Sequence, residues 1–279
     1  MKITSSAFIL VYILVLQFTL ANVIHVPAGY STIQSGLNIA NEGDTVLVEA
    51  GTYVENITWP TTNGIKLIGS GEENCIIDGN QSGTVLFFNS SWAEIDTTTV
   101  ISGFKIQHGL AHHYDNGGGI YFYNSSPSLV NVTIIDNTAG SGGGGIFLND
   151  SSPSLVNVTI NDNTVTDAGH SGYNGGGIFL NDSSPSLVNV TINGNTAAGF
   201  GGGIYFSDSS PSIVNVTIND NTAADNGGGI YLWQSSPSIV NVTINDNTSA
   251  SSGGGIYFSD SSPSLVDVTI SGNWASGDT

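Results

Sequence analysis

The feature that most constrains this chain is a unit of about 26 residues, GGGIYFSDSSPSIVNVTINDNTAADN at 201–226, which recurs six times. Its Ile stands at 120, 146, 178, 204, 230 and 256, and its Pro at 127, 153, 185, 211, 237 and 263. The spacing is 26 residues except for 32 between Ile146 and Ile178. A fixed period of this size, filled with Val, Ile, Thr and aromatics and punctuated by Gly, Asn and Ser-Pro, predicts stacked β-coils, one coil per repeat.

Alternation within the unit assigns faces. Ile204 and Phe206 share one side of a strand and Tyr205 takes the other. The Ile column never varies and its partner two residues on is always Phe or Leu, so that pair is expected to face the core. The intervening column, Tyr121, Phe147, Phe179, Tyr205, Tyr231 and Tyr257, is then expected outside, as a stripe of rings for a ligand to contact. Ile213 and the pair Val216/Ile218 should point inward, with Asn215 at a tight bend between them. Asn tolerates left-handed backbone, and its amide can bond to the copy one coil away, about 4.8 Å along the stack. Ladders are therefore expected at Asn131, Asn157, Asn189, Asn215, Asn241 and Asp267, and in a second column from Asn137 to Asn273.

Ahead of the repeats, residues 1–21 carry an apolar run from Ala7 to Leu20 behind Lys2, which reads as a secretory signal cleaved after Ala21. Export to the cell surface or medium is the expected localisation, with no membrane span in the mature chain. Residues 22–116 read as an N-terminal cap followed by irregular coils, and 117–279 as six regular repeats. A short strand at 23–26 precedes a helix that Ser31 caps with Gln34, its apolar face being Ile33, Leu37 and Ala40. That helix is placed to cover the open edge of the first coil. No C-terminal cap follows the last repeat. The chain is expected to be a fragment or to have a partner over that edge, and otherwise to be a monomer.

The stretches GDTVLVEAGTYVENI, IKLIGSG, CIIDG and VISGFKIQHG, followed by GGGIYF and SSPSLVNVTI units, resemble secreted right-handed parallel β-helix proteins of the pectin-lyase-like class. The NTA…GGGI junctions are similar to the repeats of polymorphic outer membrane proteins and related surface adhesins. The fold this resemblance implies is all-β, a right-handed parallel β-helix of about ten coils with an N-terminal capping α-helix. The class holds lyases, hydrolases, esterases and adhesins, so activity has to be argued from residues.

Formal net charge is −19, no arginine occurs, and the mature chain keeps only Lys66 and Lys105 as cations. Such a surface repels nucleic acid and anionic membrane. Lyases on this scaffold are implied to use an arginine or lysine base, and esterases an arginine beside paired aspartates. Neither pattern stands here. Paired-carboxylate hydrolysis needs two acids across a groove. The repeated acids, Asp150, Asp182, Asp208 and Asp260 before Ser-Ser-Pro and Asp136, Asp162, Asp220 and Asp246 near the third strand, read as solvated turn residues. Oxygen ligands from neighbouring coils make Ca²⁺ a possible cofactor, although the nonapeptide calcium repeat is absent. No other cofactor or metal is expected, since Cys75 is the only cysteine and His112-His113 do not form a zinc signature. The outward pairs Thr159/Asn161, Thr191/Asn193, Thr217/Asn219 and Thr243/Asn245 resemble a flat ice-binding array in part. The Asn-x-Thr triplets on the bend ladder read as by-products of the repeat.

Regularity breaks in two loops that enter GGGI. The loop 109–116 holds His112, His113 and Asp115; the six-residue insertion in 164–174 holds Asp167, His170 and Tyr173. Two coils apart on one edge, they are expected to flank a groove about 10 Å wide over the turn 139–142. The favoured function is non-catalytic adhesion or carbohydrate contact, with a polysaccharide or cell-surface glycan as partner. The alternative is a polysaccharide-active enzyme, a glycoside hydrolase or lyase, with its site in that groove.

Overall fold

The structure is a computed structural model and describes residues 21–90, 95–112, 115–167 and 174–277. Its strands pair in parallel in three sheets that run the length of a solenoid of about nine coils. A regular coil takes a four-residue strand such as Ile204–Ser207 into one sheet, and a longer one such as Ser238–Asn245 into the second. A two-residue strand such as Thr248–Ser249 enters the third. Equivalent residues sit directly above one another, Ile120 on Ile146, Ile178, Ile204, Ile230 and Ile256. The 32-residue interval leaves this register intact, with Ile146 on Ile178 and Asn149 on Asn181.

The expected inward columns are inward. Ile204, Phe206, Ile213 and Ile218 are fully buried, as are their copies in the neighbouring coils. The corners come from residues in the left-handed region. Asn131, Asn157, Asn189, Asn215, Asn241 and Asp267 have φ between 52° and 56° and split the long strands into two facets. The asparagines form the expected ladder, Asn157, Asn189, Asn215 and Asn241 each donating from Nδ2 to the Oδ1 one coil earlier at 2.8–3.1 Å. These side chains are exposed, so the ladder runs along the surface. The repeated aspartates, Asp150 and Asp208 among them, also have positive φ, which is the conformation a turn residue needs.

A second ladder runs inside. Asn137, Asn163, Asn195, Asn221 and Asn247 are fully buried, and from Asn163 onward each Oδ1 accepts from the backbone N–H and the Nδ2 of the Asn one coil before, while Asn137 Oδ1 accepts from Gly109 N–H. Each Nδ2 also donates to a carbonyl of the preceding coil, Ile134 for Asn163 and Ile160 for Asn195. Every coil thereby satisfies the polar groups at its buried corner.

The helix is Ile33–Leu37, and its cap differs by one residue from expectation. Thr32, not Ser31, is the N-cap, and its hydroxyl accepts from Ser35 N–H at 3.1 Å. The first free amides, Ile33 and Gln34, donate to the Glu55 carboxylate at 2.8 and 3.0 Å. A partner 21 residues away cannot be read from a local capping pattern. Ile33, Leu37 and Ala40 are buried as expected, and Gly36 lies against Val26 and Val46 of the first two strands.

Candidate functional site

The column Tyr121, Phe147, Phe179, Tyr205, Tyr231 and Tyr257 points away from the main core and stacks ring on ring, with centroids 4.9–5.2 Å apart. Its expected exposure is corrected along the middle, where Phe147, Phe179 and Tyr205 keep only 6%, 3% and 3% of their surface. The cover comes from the turns that lead into GGGI. Gly142 packs over Phe179, and the Phe200 ring sits 4.9 Å from Tyr231 and 6.4 Å from Tyr205. Such close approach needs glycine. Gly201 has φ +64°, and a Cβ there would meet the Ile204 carbonyl oxygen at 2.5 Å. The central rings thus form a second, smaller apolar core, and Tyr121, Tyr231 and Tyr257 remain partly exposed at its two ends.

At the N-terminal end the stack continues one ring further than the repeat indicates. Leu86–Asn89 pairs with Ile120–Tyr123, placing Phe87 beside Tyr121 with centroids 5.0 Å apart and planes at 21°. Beyond Phe87 the register puts Thr58, so one face of this ring has no ring upon it. A cleft of about 420 Å³ opens here, lined by Phe87, Tyr121, Thr84, His112, Asp115 and Asn116 together with Gly83, Leu110 and Ala111. Phe87 is the ring that the sequence reading missed. The signal was present, since Leu86-Phe87-Phe88 repeats the pattern of Ile120-Tyr121-Phe122 without its glycines.

The loop 109–116 is fixed on both sides. Leu110 and Gly83 exchange backbone hydrogen bonds at 2.8 and 2.9 Å, and Asp115 N–H donates to the His112 carbonyl at 2.9 Å. On the far side Ser141 N–H donates to the Asp115 carbonyl at 3.1 Å. These are all main-chain bonds, so the His112 and Asp115 side chains stand exposed on the cleft rim. Burial pushes the Tyr121 phenol above its ordinary value, and neighbouring Tyr123 and Asp115 push it further. It is therefore a neutral hydroxyl at any physiological pH.

Of the groove expected between the two loops, both walls include residues outside the described ones. The turn 140–142 lies between the loops, as expected, and is tied to both sides, through Ser141 to Asp115 and through Gly140, whose carbonyl accepts from Asp167 N–H at 3.0 Å. Asn174 Nδ2 closes the same corner by donating to the Ser141 carbonyl at 3.1 Å. The cleft lies on the N-terminal side of this stitched region and holds His112 and Asp115, whereas Asp167 does not line it. His113, His170 and Tyr173 lie outside the described residues. Lys66 and Lys105 belong to the long-strand sheet and do not line the cleft. Among the described residues no three His, Cys, Asp or Glu side chains converge as a metal site.

One polar cluster was not anticipated. Asp78 Oδ2 accepts from Gln107 Nε2 at 2.8 Å and lies 2.9 Å from His108 Nδ1, and Asp78 Oδ1 accepts from Asn80 N–H at 2.8 Å. Burial pushes this carboxyl up, but the bonds from Gln107, Asn80 and His108 outweigh it and hold the group below its ordinary value. A carboxyl lowered by folding contributes stability that is complete above the unfolded value near pH 4 and is lost as pH falls through the folded one. Urea midpoints measured from about pH 6 to pH 3 should therefore fall less steeply in Asp78→Asn than in the parent chain. Identical slopes would show that the pair stores no such stability.

Comparison with known proteins concerns the fold. The chain matches the family described as "Right handed beta helix region" over residues 31–215 and 176–278. No curated protein matches it. Among solved structures, a pectin methylesterase from Aspergillus niger is 11% identical, with TM-score 0.49 over 93% of this chain and 86% of that one. A pectin methylesterase from carrot is 13% identical, with TM-score 0.47 over 92% and 83%. An alginate lyase from a Paenibacillus species is 12% identical, with TM-score 0.34 over 91% and 99%. At these identities and scores nothing about activity passes from those enzymes to this chain. Among the described residues no helix is long and apolar enough to cross a membrane.

Proposed function

This chain belongs to the right-handed β-helix family, and on that scaffold we propose that it is an exported, non-catalytic protein that contacts a polysaccharide or cell-surface glycan. The observation that carries the reading is the cleft at the head of the ring stack. There the aromatic column, covered along its middle, comes into the open through Phe87 and Tyr121. Sugar rings present C–H faces that pack on aromatic surfaces, and the hydroxyls around them take hydrogen bonds from a few placed polar groups. Thr84, Asn116, His112 and Asp115 supply such groups around the two rings. Asp115 is the one acid lining the cleft among the described residues, whereas glycoside hydrolysis uses a pair.

The test is retention on insoluble plant, algal and bacterial polysaccharides, with release of new chain ends scored in the same tubes. Retention without cleavage is expected, and Phe87→Ala should lower it about tenfold, since one ring contact of this kind is worth roughly 1–1.5 kcal/mol. Cleavage would replace the binding reading with a catalytic one, and Asp115 and His112 would be the first residues to substitute.

A further inference from the structure

We infer that the cleft prefers a glycan bearing amino groups to one bearing carboxylates; the inference rests on the glycan-contact reading above and specifies the ligand's charge. Three observations support it. First, Asp115 is the only charged carboxylate among the described residues of the lining, and neither lysine of the described chain lies there. Second, Phe87 and Tyr121 line the same cleft as Asp115, at the end of the stack where the register places Thr58 and no further ring beyond Phe87. Aromatic rings beside a carboxylate are the pairing that recognises an ammonium group. Third, the chain carries a net charge of −19, so its overall field favours cations over uronates. Tyr121, held as a neutral phenol, adds no charge of either sign.

The general field and the local site make different demands, which allows a clean test. Three hexasaccharides would be titrated calorimetrically at about pH 6 in about 0.15 M salt, where exposed charges more than about 8 Å apart are largely screened. They are a β-1,4-linked glucosamine hexamer, its N-acetylated counterpart and a galacturonate hexamer. The first two differ chiefly in charge. The glucosamine hexamer should bind about fivefold tighter than the acetylated one, the size of an exposed ion pair with a ring contact. The galacturonate hexamer should bind more weakly than either.

Asp115→Asn should abolish the difference between the two glucosamine ligands, bringing the glucosamine hexamer down to the affinity of the acetylated one. Its fold is not at risk, because the loop is held by Asp115 main-chain atoms. Asp208→Asn, an exposed turn position in a regular coil, should leave all three affinities unchanged. The inference is overturned if galacturonate binds as well as the acetylated hexamer, if Asp115→Asn keeps the preference, or if Asp208→Asn removes it equally. Absence of binding by all three ligands would instead overturn the glycan-contact reading itself, and this inference with it.

Discussion

Ile230→Asp should unfold the central coils, with a loss of about 5 kcal/mol or more. Ile230 is fully buried and lies in register between Ile204 and Ile256. Removing most of its side chain forfeits roughly 2–5 kcal/mol of burial and leaves a cavity. The new carboxyl has no hydrogen-bond partner in an interior of Ile, Leu and Phe side chains, which costs several kcal/mol even if the group takes up a proton. Each coil touches mainly its two neighbours, so the damage should spread from 230 through the coils at 204 and 256 first. Thr217→Asp is the matched control, because Thr217 is exposed on an outward column and should shift stability by no more than about 1 kcal/mol. Chemical unfolding followed by circular dichroism separates the two. A folded and equally stable Ile230→Asp would mean that the inner and outer faces are reversed.

Asn195→Ala should cost about 3–6 kcal/mol although it introduces no charge and little loss of apolar packing. The side chain accepts from both the N–H and the Nδ2 of Asn163, and donates to the Ile160 carbonyl and Asn221 Oδ1, all at 2.9–3.0 Å. Truncation removes these four buried hydrogen bonds, at about 0.5–1.5 kcal/mol each, and takes from the buried Asn163 N–H its acceptor, while Asn163 Nδ2 keeps the Ile134 carbonyl and Asn221 Oδ1 keeps the Asn195 N–H. Asn215→Ala gives the comparison, since Asn215 belongs to the exposed ladder and its lost bonds are replaced by water. Equal unfolding midpoints for the two variants would show that the interior ladder is not what joins the coils.

The contrast between these ladders marks how far the sequence could be read. Period and alternation placed Ile230 inside and Thr217 outside, because a strand's two-residue repeat has only two faces to assign. The same logic put the Tyr205 column opposite Ile204, and it is there. Alternation does not tell what covers the far face, and here Gly142 and Phe200 bring the turns that precede Phe179, Tyr205 and Tyr231 across it. Phe87 escaped because the ladder was defined by its glycines, whereas register extends it through a coil that lacks them. The loop 109–116 was recognised as irregular, and five of its residues, Leu110, Ala111, His112, Asp115 and Asn116, line the cleft. Its opposite wall, Gly83 and Thr84, comes from 27 residues upstream of Leu110, a juxtaposition set by coil stacking and by no local pattern. The helix cap differs for the same reason, its acceptor being Glu55 on another coil.

The most direct measurement of the central claim is a calorimetric titration of one neutral β-1,4-linked hexasaccharide against the parent chain, Phe87→Ala and Tyr257→Ala. Both substituted rings are partly exposed ends of the same stack, so they carry similar structural costs and differ in position. If the cleft at the head of the stack holds the glycan, affinity should fall about tenfold in Phe87→Ala and stay within twofold in Tyr257→Ala. Loss in Tyr257→Ala with Phe87→Ala unaffected, or an equal loss in both, would contradict that placement.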